Sequence, residues 1–245
     1  GPARTIPRRV RLGRVESSGL LGVMGAMEEE IAAVRAALED PRTRRVLGVE
    51  VTQGTLAGRA GARPVALALS GVGKVNAALA AAALVTAGAD RVVFTGVAGG
   101  VSPDVAIGDA VVATDLVQHD IDVTAMGFEP GRLLGEPPSW VADAVLSGQV
   151  AAAAESLGAR VHRGRIASGD QFVADHAQGA SIRERFGAVA VEMEGAAAAQ
   201  ACGKLGVPVA VLRWISDAAD AGAPVDFPAF LERAAGLDLA VLRAL

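Results

Sequence analysis

The sequence predicts a single-domain α/β fold in three layers, with a central mixed, largely parallel twisted sheet and helices on both of its faces. Short Val-rich runs alternate with Ala-rich helical patterns along most of the 245 residues. Near the end, the runs 188–192 and 208–215 flank a helical pattern at 195–205, which is a βαβ unit. With 51% hydrophobic residues, the chain is long enough to bury one sizeable core.

The remaining elements follow from the same periodicities. The first strand ends at Met24, and Gly25 opens a turn. The helix after it carries Glu28, Glu29 and Glu30 in its first turn, where acids suit the positive end of the helix. The Gly- and Pro-rich segment 118–138 has no clear period and is a candidate binding or interface loop. Strands are predicted at 20–24, 46–56, 64–69, 91–95, 109–117, 161–167, 188–192 and 208–215, and helices at 27–38, 75–87, 141–157, 180–186, 195–205 and 227–245.

Charge and cysteine content argue against a nucleic-acid-binding, membrane-spanning or disulfide-bonded protein. Residues 1–18 hold five arginines and no periodic pattern, so we expect a flexible leader before a domain at 19–245. The net charge of -4 gives no general attraction to nucleic acid or anionic membranes, and no apolar run reaches the roughly 18 residues of a membrane span. The single cysteine, Cys202, excludes an internal disulfide and favours a reducing cytoplasm.

Several common catalytic motifs are absent. The SGVGK sequence at 70–74 resembles a P-loop, but Ala68 and Val75 break that pattern. The glycine-rich segment 95–100 lacks the GxGxxG spacing of a dinucleotide site, although its glycines permit close approach of a ligand. The three histidines are scattered and there is no GxSxG elbow, so neither a metal site nor serine acyl chemistry is expected.

Three carboxylates remain as the candidate chemistry. Glu30 follows the first strand, Glu194 the strand at 188–192, and Asp217 the strand at 208–215. Ligands of open parallel sheets bind beyond the carboxyl ends of the strands, where such side chains converge. Carboxyls that share a crevice suit acid/base work, because different environments can make one a proton donor and another a base.

At these residues the chain resembles the 5'-methylthioadenosine/S-adenosylhomocysteine nucleosidases, within the nucleoside phosphorylase superfamily. The resemblance covers almost all of residues 20–240. It implies a nucleoside phosphorylase-like fold and hydrolysis of the bond between adenine and a 5'-thio-substituted ribose, without metal or organic cofactor. The motifs that carry it are GAMEEE at 25–30, SGVGK at 70–74, TGVAGG at 95–100, SGDQF at 168–172, VEME at 191–194 and ISDAAD at 215–220.

The resemblance also implies a role for each site residue. Glu30 would activate the attacking water, Asp217, steadied by Ser216, would protonate adenine N7, and Glu194 would hold the ribose hydroxyls. A segment around 123–128 would complete the neighbouring site of a homodimer. The implied substrate-binding residues are Gly99, Val123, Met126, Phe128, Phe172, Val173, Glu192, Met193, Ser216 and Phe227.

Other functions remain open alongside this one. A phosphorylase is disfavoured because the turn 25–30 offers only acids, which would repel phosphate. A related hydrolase of the aminodeoxyfutalosine type would keep the same acids but accept a bulky aromatic 5' group. A non-catalytic nucleoside-binding module would keep the fold, but retention of all three carboxylates argues against it.

Overall fold

The computed structural model describes residues 19–220 and 223–245. The expected leader at 1–18 lies outside the described residues. Within the described part, no helix has the length and apolar character needed to cross a membrane. The strands are β1 (Leu21–Gly25), β2 (Leu38–Val46), β3 (Val49–Gly58), β4 (Gly61–Leu69), β5 (Arg91–Phe94), β6 (Val97–Gly100), β7 (Ala110–Gln118), β8 (Trp140–Val141), β9 (Val161–Ser168), β10 (Ala188–Glu192) and β11 (Val209–Asp217). The helices are α1 (Glu28–Ala37), α2 (Lys74–Thr86), α3 (Ala144–Ser156), α4 (His176–Phe186), α5 (Gly195–Leu205) and α6 (Ala223–Ala244).

These strands form one mixed sheet in the order β2-β3-β4-β1-β5-β11-β6-β10-β9-β7-β8. The centre is parallel, since β1 pairs with β4 and β5, and β11 with β5 and β6, all in parallel. Strand β11 also pairs antiparallel with β7, so the second half of the sheet closes on itself through β6, β10, β9 and β7. The long buried strand β11 therefore joins both halves.

Helices cover both faces of the sheet, which confirms the three-layer αβα prediction. Buried alanines of α2 and α5 pack together on one face, including Ala80 and Ala198. Helices α1, α3 and α6 pack on the other face, with Ile31, Val150 and Leu242 in that core. Small side chains let α2 and α5 pack closely against each other. The segments preceding the two helices meet where Gly73 N donates a hydrogen bond to Glu194.

Three strands were missed from the sequence: β2, β6 and the two-residue β8, whose Val141 was predicted to begin a helix. Strand β2 is an edge strand exposed along most of its length, so its residues carry no alternating apolar pattern. It pairs with β3 through a turn at Leu47 and Gly48, both at positive φ, as a two-residue hairpin turn requires. Strand β6 lies inside the glycine-rich segment, which was predicted only as a loop.

Helix starts also differ from the predicted ones. Helix α3 begins at Ala144 rather than 141, because the Asp143 side chain accepts a hydrogen bond from the Leu146 amide at 2.8 Å. Asp175 caps α4 in the same way, so this helix begins at His176 and not at 180. Helix α6 begins at Ala223, which places Phe227 inside its first turns.

Candidate active site

A cavity of about 390 Å³ opens at the carboxyl ends of the central strands. The three carboxylates predicted from the sequence, Glu30, Glu194 and Asp217, all line it. Ser216 is buried next to Asp217. The lining residues are Ala26, Met27, Glu30, Val72, Val97, Ala98, Gly99, Gln171, Phe172, Val173, Val191, Glu192, Met193, Glu194, Asp217 and Phe227.

Glu30 is held by backbone amides from two sides. Its Oε2 accepts hydrogen bonds from Ala26 N at 2.6 Å and Met27 N at 3.0 Å, and its Oε1 accepts one from Val97 N at 3.2 Å. Burial raises the pKa of Glu30 above its ordinary value, although the positive charge of Arg213 and these amides oppose the rise. A carboxylate that is fixed in place and has a raised pKa is a stronger base than an ordinary carboxylate and is suited to accept a proton.

Gly96 makes room for this carboxylate. A Cβ at position 96 would lie 2.5 Å from Glu30 Oε1, which is closer than non-bonded atoms approach. The glycine therefore allows the turn between β5 and β6 to pass directly over Glu30, and Val97 N of the same turn donates to it.

Asp217 ends β11 and is fixed through both oxygens. The Ser216 hydroxyl donates to Oδ2 at 2.7 Å, and Ala219 N donates to Oδ1 at 2.8 Å. The pairing of β11 with β6 shifts register at this point, so Asp217 lies opposite Gly99. A Cβ at position 99 would lie 2.9 Å from Asp217 Oδ1. Gly99 thus contributes space at the carboxylate rather than a side chain.

Glu194 follows β10 and precedes α5. Its Oε1 accepts a hydrogen bond from Gly73 N at 2.7 Å, which links it to the start of α2. Burial, and next the negative charge of Glu192, raise the pKa of Glu194 to about 7. The half-buried Met193 lies beside it on the cavity wall.

Glu192 lines the cavity, but its carboxylate is engaged by the protein. The Ser168 hydroxyl donates to Oε1, while Arg213 Nη2 donates to Oε2 at 2.7 Å and Gly195 N at 2.8 Å. The expected substrate contact of Glu192 therefore competes with contacts that already occupy both oxygens. Its side chain is placed to hold Arg213 and the start of α5.

Arg213 was missed in the sequence analysis. Its guanidinium is buried, pairs with Glu192 and lies 4.0 Å from the centre of the Phe94 ring. Its charge acts on both Glu30 and Glu194. Its position in the middle of the otherwise apolar run 208–215 could have indicated a buried ion pair, because a buried strand does not tolerate an unpaired charge.

Two aromatic rings form the apolar side of the cavity. Phe172 and Phe227 contact edge to face, with centroids 5.8 Å apart and planes at 77°. Phe172 is half exposed, whereas Val173 beside it is buried. An aromatic wall beside buried carboxylates fits a ligand with a planar ring and a hydroxylated part.

The segment with Val123, Met126 and Phe128 does not line this cavity. It contains a short 3₁₀ turn at Thr124–Met126, and the Met126 side chain is 61% exposed. The predicted contact of these residues with a neighbouring subunit stays a prediction.

Comparisons with known proteins agree with this architecture. The family model described as "Phosphorylase superfamily" matches residues 20–245. A 5'-methylthioadenosine/S-adenosylhomocysteine nucleosidase of Bacillus thuringiensis (strain Al Hakam) is 42% identical over 221 residues, which is 88% of this chain and 93% of that protein.

Solved structures show the same likeness. The nucleosidase of that name from Neisseria meningitidis, in complex with methylthio-immucillin-A, superposes with a TM-score of 0.86 at 38% identity, covering 92% of this chain and 97% of the other. A futalosine hydrolase mutant of Helicobacter pylori strain 26695 reaches 0.85 at 34% identity, with the same coverage. The chain therefore belongs to the 5'-methylthioadenosine/S-adenosylhomocysteine nucleosidase family of the phosphorylase superfamily.

Proposed function

We propose that this chain hydrolyses the N-glycosidic bond of 5'-methylthioadenosine and S-adenosylhomocysteine, releasing adenine and a 5-thio-substituted ribose. The observation that carries the proposal is the meeting of Glu30, Glu194 and Asp217 in one cavity beside two aromatic rings. The relatives' names and the inhibitor complex of the Neisseria protein support the same substrate class.

Asp217 is the proton donor to adenine N7 in this proposal. Adenine is a poor leaving group as an anion, so protonation of the ring lowers the barrier to cleavage. Ser216 and Ala219 N hold the two carboxylate oxygens, which fixes the direction of proton transfer. The general acid is thereby positioned before the substrate binds.

Glu30 activates the attacking water. Its three amide contacts fix the carboxylate, and its raised pKa favours acceptance of a proton as the water adds to the sugar. Arg213 lies close enough to affect Glu30 electrostatically and limits that rise. The carboxylates also stabilise the positive charge that develops on the sugar ring.

The other lining residues bind the substrate. Glu194 holds the ribose hydroxyls, and Met193 packs on the sugar. Phe172 stacks on the adenine, the backbone of Val173 contacts the edge of the base, and Phe227 closes the apolar side. An adenine nucleoside thus meets its charged partners at the sugar and its apolar partners at the base and the 5' group.

Water rather than phosphate is the proposed nucleophile. Among the described residues, no lysine or arginine lines the cavity, and Arg213 is already paired with Glu192. A phosphate dianion would meet the Glu30 carboxylate without a cation to hold it.

We also propose a homodimer in which the segment around Val123, Met126 and Phe128 packs near the 5' group of the partner's substrate. The exposure of Met126 supports a contact outside this chain. The buried free thiol of Cys202 fits a reducing cytoplasm, where the protein would serve methionine salvage.

A second candidate is hydrolysis of a futalosine-type adenine nucleoside, favoured by the similarity to the Helicobacter pylori futalosine hydrolase. Both candidates use the same carboxylates and differ in the 5' group. A panel of 5'-substituted adenosines, assayed for adenine release with and without phosphate, tests the whole proposal. Turnover of methylthioadenosine in phosphate-free buffer supports it, and a requirement for phosphate would exclude hydrolysis.

A further inference from the structure

A ring of polar contacts connects segments that flank the cavity. Lys74 Nζ binds Asp120 Oδ1 at 2.6 Å, Asp120 Oδ2 accepts from Asp170 N at 2.9 Å, and Asp170 Oδ1 accepts from Lys74 N at 2.8 Å. Lys74 Nζ also reaches Gln118 Oε1 at 3.1 Å. Lys74, Asp120 and Asp170 form a closed circuit, called here the Lys74 network. None of them lines the cavity.

The ion pair of the network is partly shielded from water, whereas Asp170 is exposed. The side chains of Lys74 and Asp120 are each 15% exposed, so their ion pair is less screened than a surface pair. Burial pushes the pKa of Asp120 up, but the hydrogen bonds from Lys74 and Asp170 outweigh it, and the net shift is downward. Asp120 therefore stays ionised and keeps both contacts at neutral pH.

Each member belongs to a segment that serves the site. Lys74 follows Gly73, whose amide donates to Glu194. Asp170 precedes Phe172 by two residues, and its carboxylate caps the start of α2. Asp120 follows β7 and leads into the 123–128 segment. The network thus joins the sugar side, the base side and the segment proposed to serve the neighbouring subunit.

Local geometry supports a fixed arrangement. Gly73 has φ of +97°, a conformation that other residues rarely adopt, and a Cβ there would lie 3.2 Å from Asp170 Oδ1. The Gly73 amide can point at Glu194 only while the turn before α2 keeps this shape. Asp170 and Lys74 hold the turn from the other side.

We propose that Asp120 is a positioning residue: through Lys74 and Asp170 it fixes the Gly73 amide against Glu194 and the loop that carries Phe172. It contacts no substrate itself. The inference rests on the proposed function, because Glu194 and Phe172 are taken as the groups that hold ribose and base. Lys74 of the SGVGK motif and Asp170 of the SGDQF motif thereby have a role in holding the site, although neither takes part in the proposed chemistry.

The matched test compares Asp120→Asn with Asp115→Asn. Asp115 is also a partly buried carboxylate near the end of β7, with a cation at 2.6 Å, but its partner is Arg165 and it lies away from the cavity. For methylthioadenosine, Asp120→Asn should lower kcat/KM at least ~10-fold, mainly through KM, because a small misplacement of a binding group is costly. Asp115→Asn should stay within about 2-fold. Equal effects of the two substitutions would overturn the proposal.

Two further readouts separate positioning from general destabilisation. In a Glu194→Gln background, Asp120→Asn should cause a smaller additional loss than it causes alone, because part of its effect passes through Glu194; a fully multiplicative loss contradicts this route. Amide exchange of Gly73 should be faster in Asp120→Asn than in Asp115→Asn, and equal exchange would also contradict the proposal. If the unmodified protein releases no adenine, the proposed function is wrong. The exchange rates of Gly73 would still test whether Asp120 holds this amide in place.

Discussion

Arg213 and Glu192 form a buried ion pair at the wall of the candidate active site, with 2.7 Å between Nη2 and Oε2. The same guanidinium lies over the Phe94 ring and acts electrostatically on Glu30 and Glu194. The positive charge of Arg213 thus acts on three carboxylates that are themselves buried. Because both side chains of the pair are buried, water cannot readily solvate one charge if the other is removed. The Arg213 charge also opposes the rise that burial causes in the pKa of Glu30 and Glu194.

Removal of Arg213 should therefore be costly. Arg213→Met leaves Glu192 buried without its partner, and we expect a loss of about 3–5 kcal/mol in the free energy of unfolding. Arg165→Met is the control, because Arg165 also pairs with an aspartate but is 37% exposed and should cost at most about 1 kcal/mol. Urea unfolding measures the free energy of unfolding of both variants. Similar losses would show that the buried ion pair contributes no more to stability than the exposed one.

The raised pKa of Glu194 predicts a pH-dependent stability. A carboxyl with a raised folded-state pKa contributes stability below its ordinary pKa of 4.5 and loses it as the pH rises towards about 7. Glu194→Gln removes this titration. The free energy of unfolding of the variant, relative to that of the unmodified protein, should therefore rise by up to about 3 kcal/mol between pH 5 and pH 8. Unfolding at the two pH values tests this, with the exposed Glu184→Gln as control. A constant difference between Glu194→Gln and the unmodified protein would contradict the assignment.

Gly96→Ala tests the fixation of Glu30. The added methyl group would lie 2.5 Å from Glu30 Oε1 and displace the carboxylate from its amide donors. We expect kcat to fall about 100-fold with a smaller change in KM, because Glu30 is proposed to activate the water and not to bind the substrate. Gly148→Ala in α3, where nothing lies within 4 Å of the new atom, should leave the rate unchanged. A Gly96→Ala enzyme with normal kcat would refute the role of this turn.

Asp238 is a buried carboxyl outside the cavity. Its Oδ1 accepts from Trp214 Nε1 at 2.9 Å, while Oδ2 lacks a hydrogen-bond partner among the described residues. Burial, and next the charge of Glu30, raise its pKa well above 3.8. Its stabilising effect is present at low pH and is lost as the pH rises through the raised pKa.

Asp238→Asn keeps the acceptor for Trp214 and cannot ionise. Its free energy of unfolding should improve relative to the unmodified protein as the pH rises above 4, whereas the exposed Asp104→Asn should show no such trend. Denaturant unfolding at several pH values measures this difference. Parallel curves for Asp238→Asn and the unmodified protein would contradict a titrating carboxyl at this position.

The sequence was most informative where a pattern had a local cause. Buried central strands such as β11 appear as apolar runs, and their ends revealed Glu30, Glu194 and Asp217. The edge strand β2 was not predicted, because its pairing with β3 holds it in the sheet and its exposed residues form no apolar pattern. Helix starts were displaced where a single capping aspartate, as at Asp143, decides the boundary.

Long-range contacts account for the rest. The role of Arg213 depends on its ion pair with Glu192, 21 residues away, and on its contact with the Phe94 ring on another strand. The link from Gly73 to Glu194 spans 121 residues and has no signature in either segment alone. Family resemblance supplied the substrate class, while the geometry added the contacts that hold the carboxylates in place.

The most direct test of the account is the rate of adenine release from methylthioadenosine in phosphate-free buffer by the unmodified protein and by Asp217→Asn. Asn keeps the size of the side chain and an acceptor for Ala219 N but has no acidic proton to transfer to N7. We expect release by the unmodified protein and a rate at least ~100-fold lower for the folded variant. Near-normal release by a folded Asp217→Asn protein would contradict it.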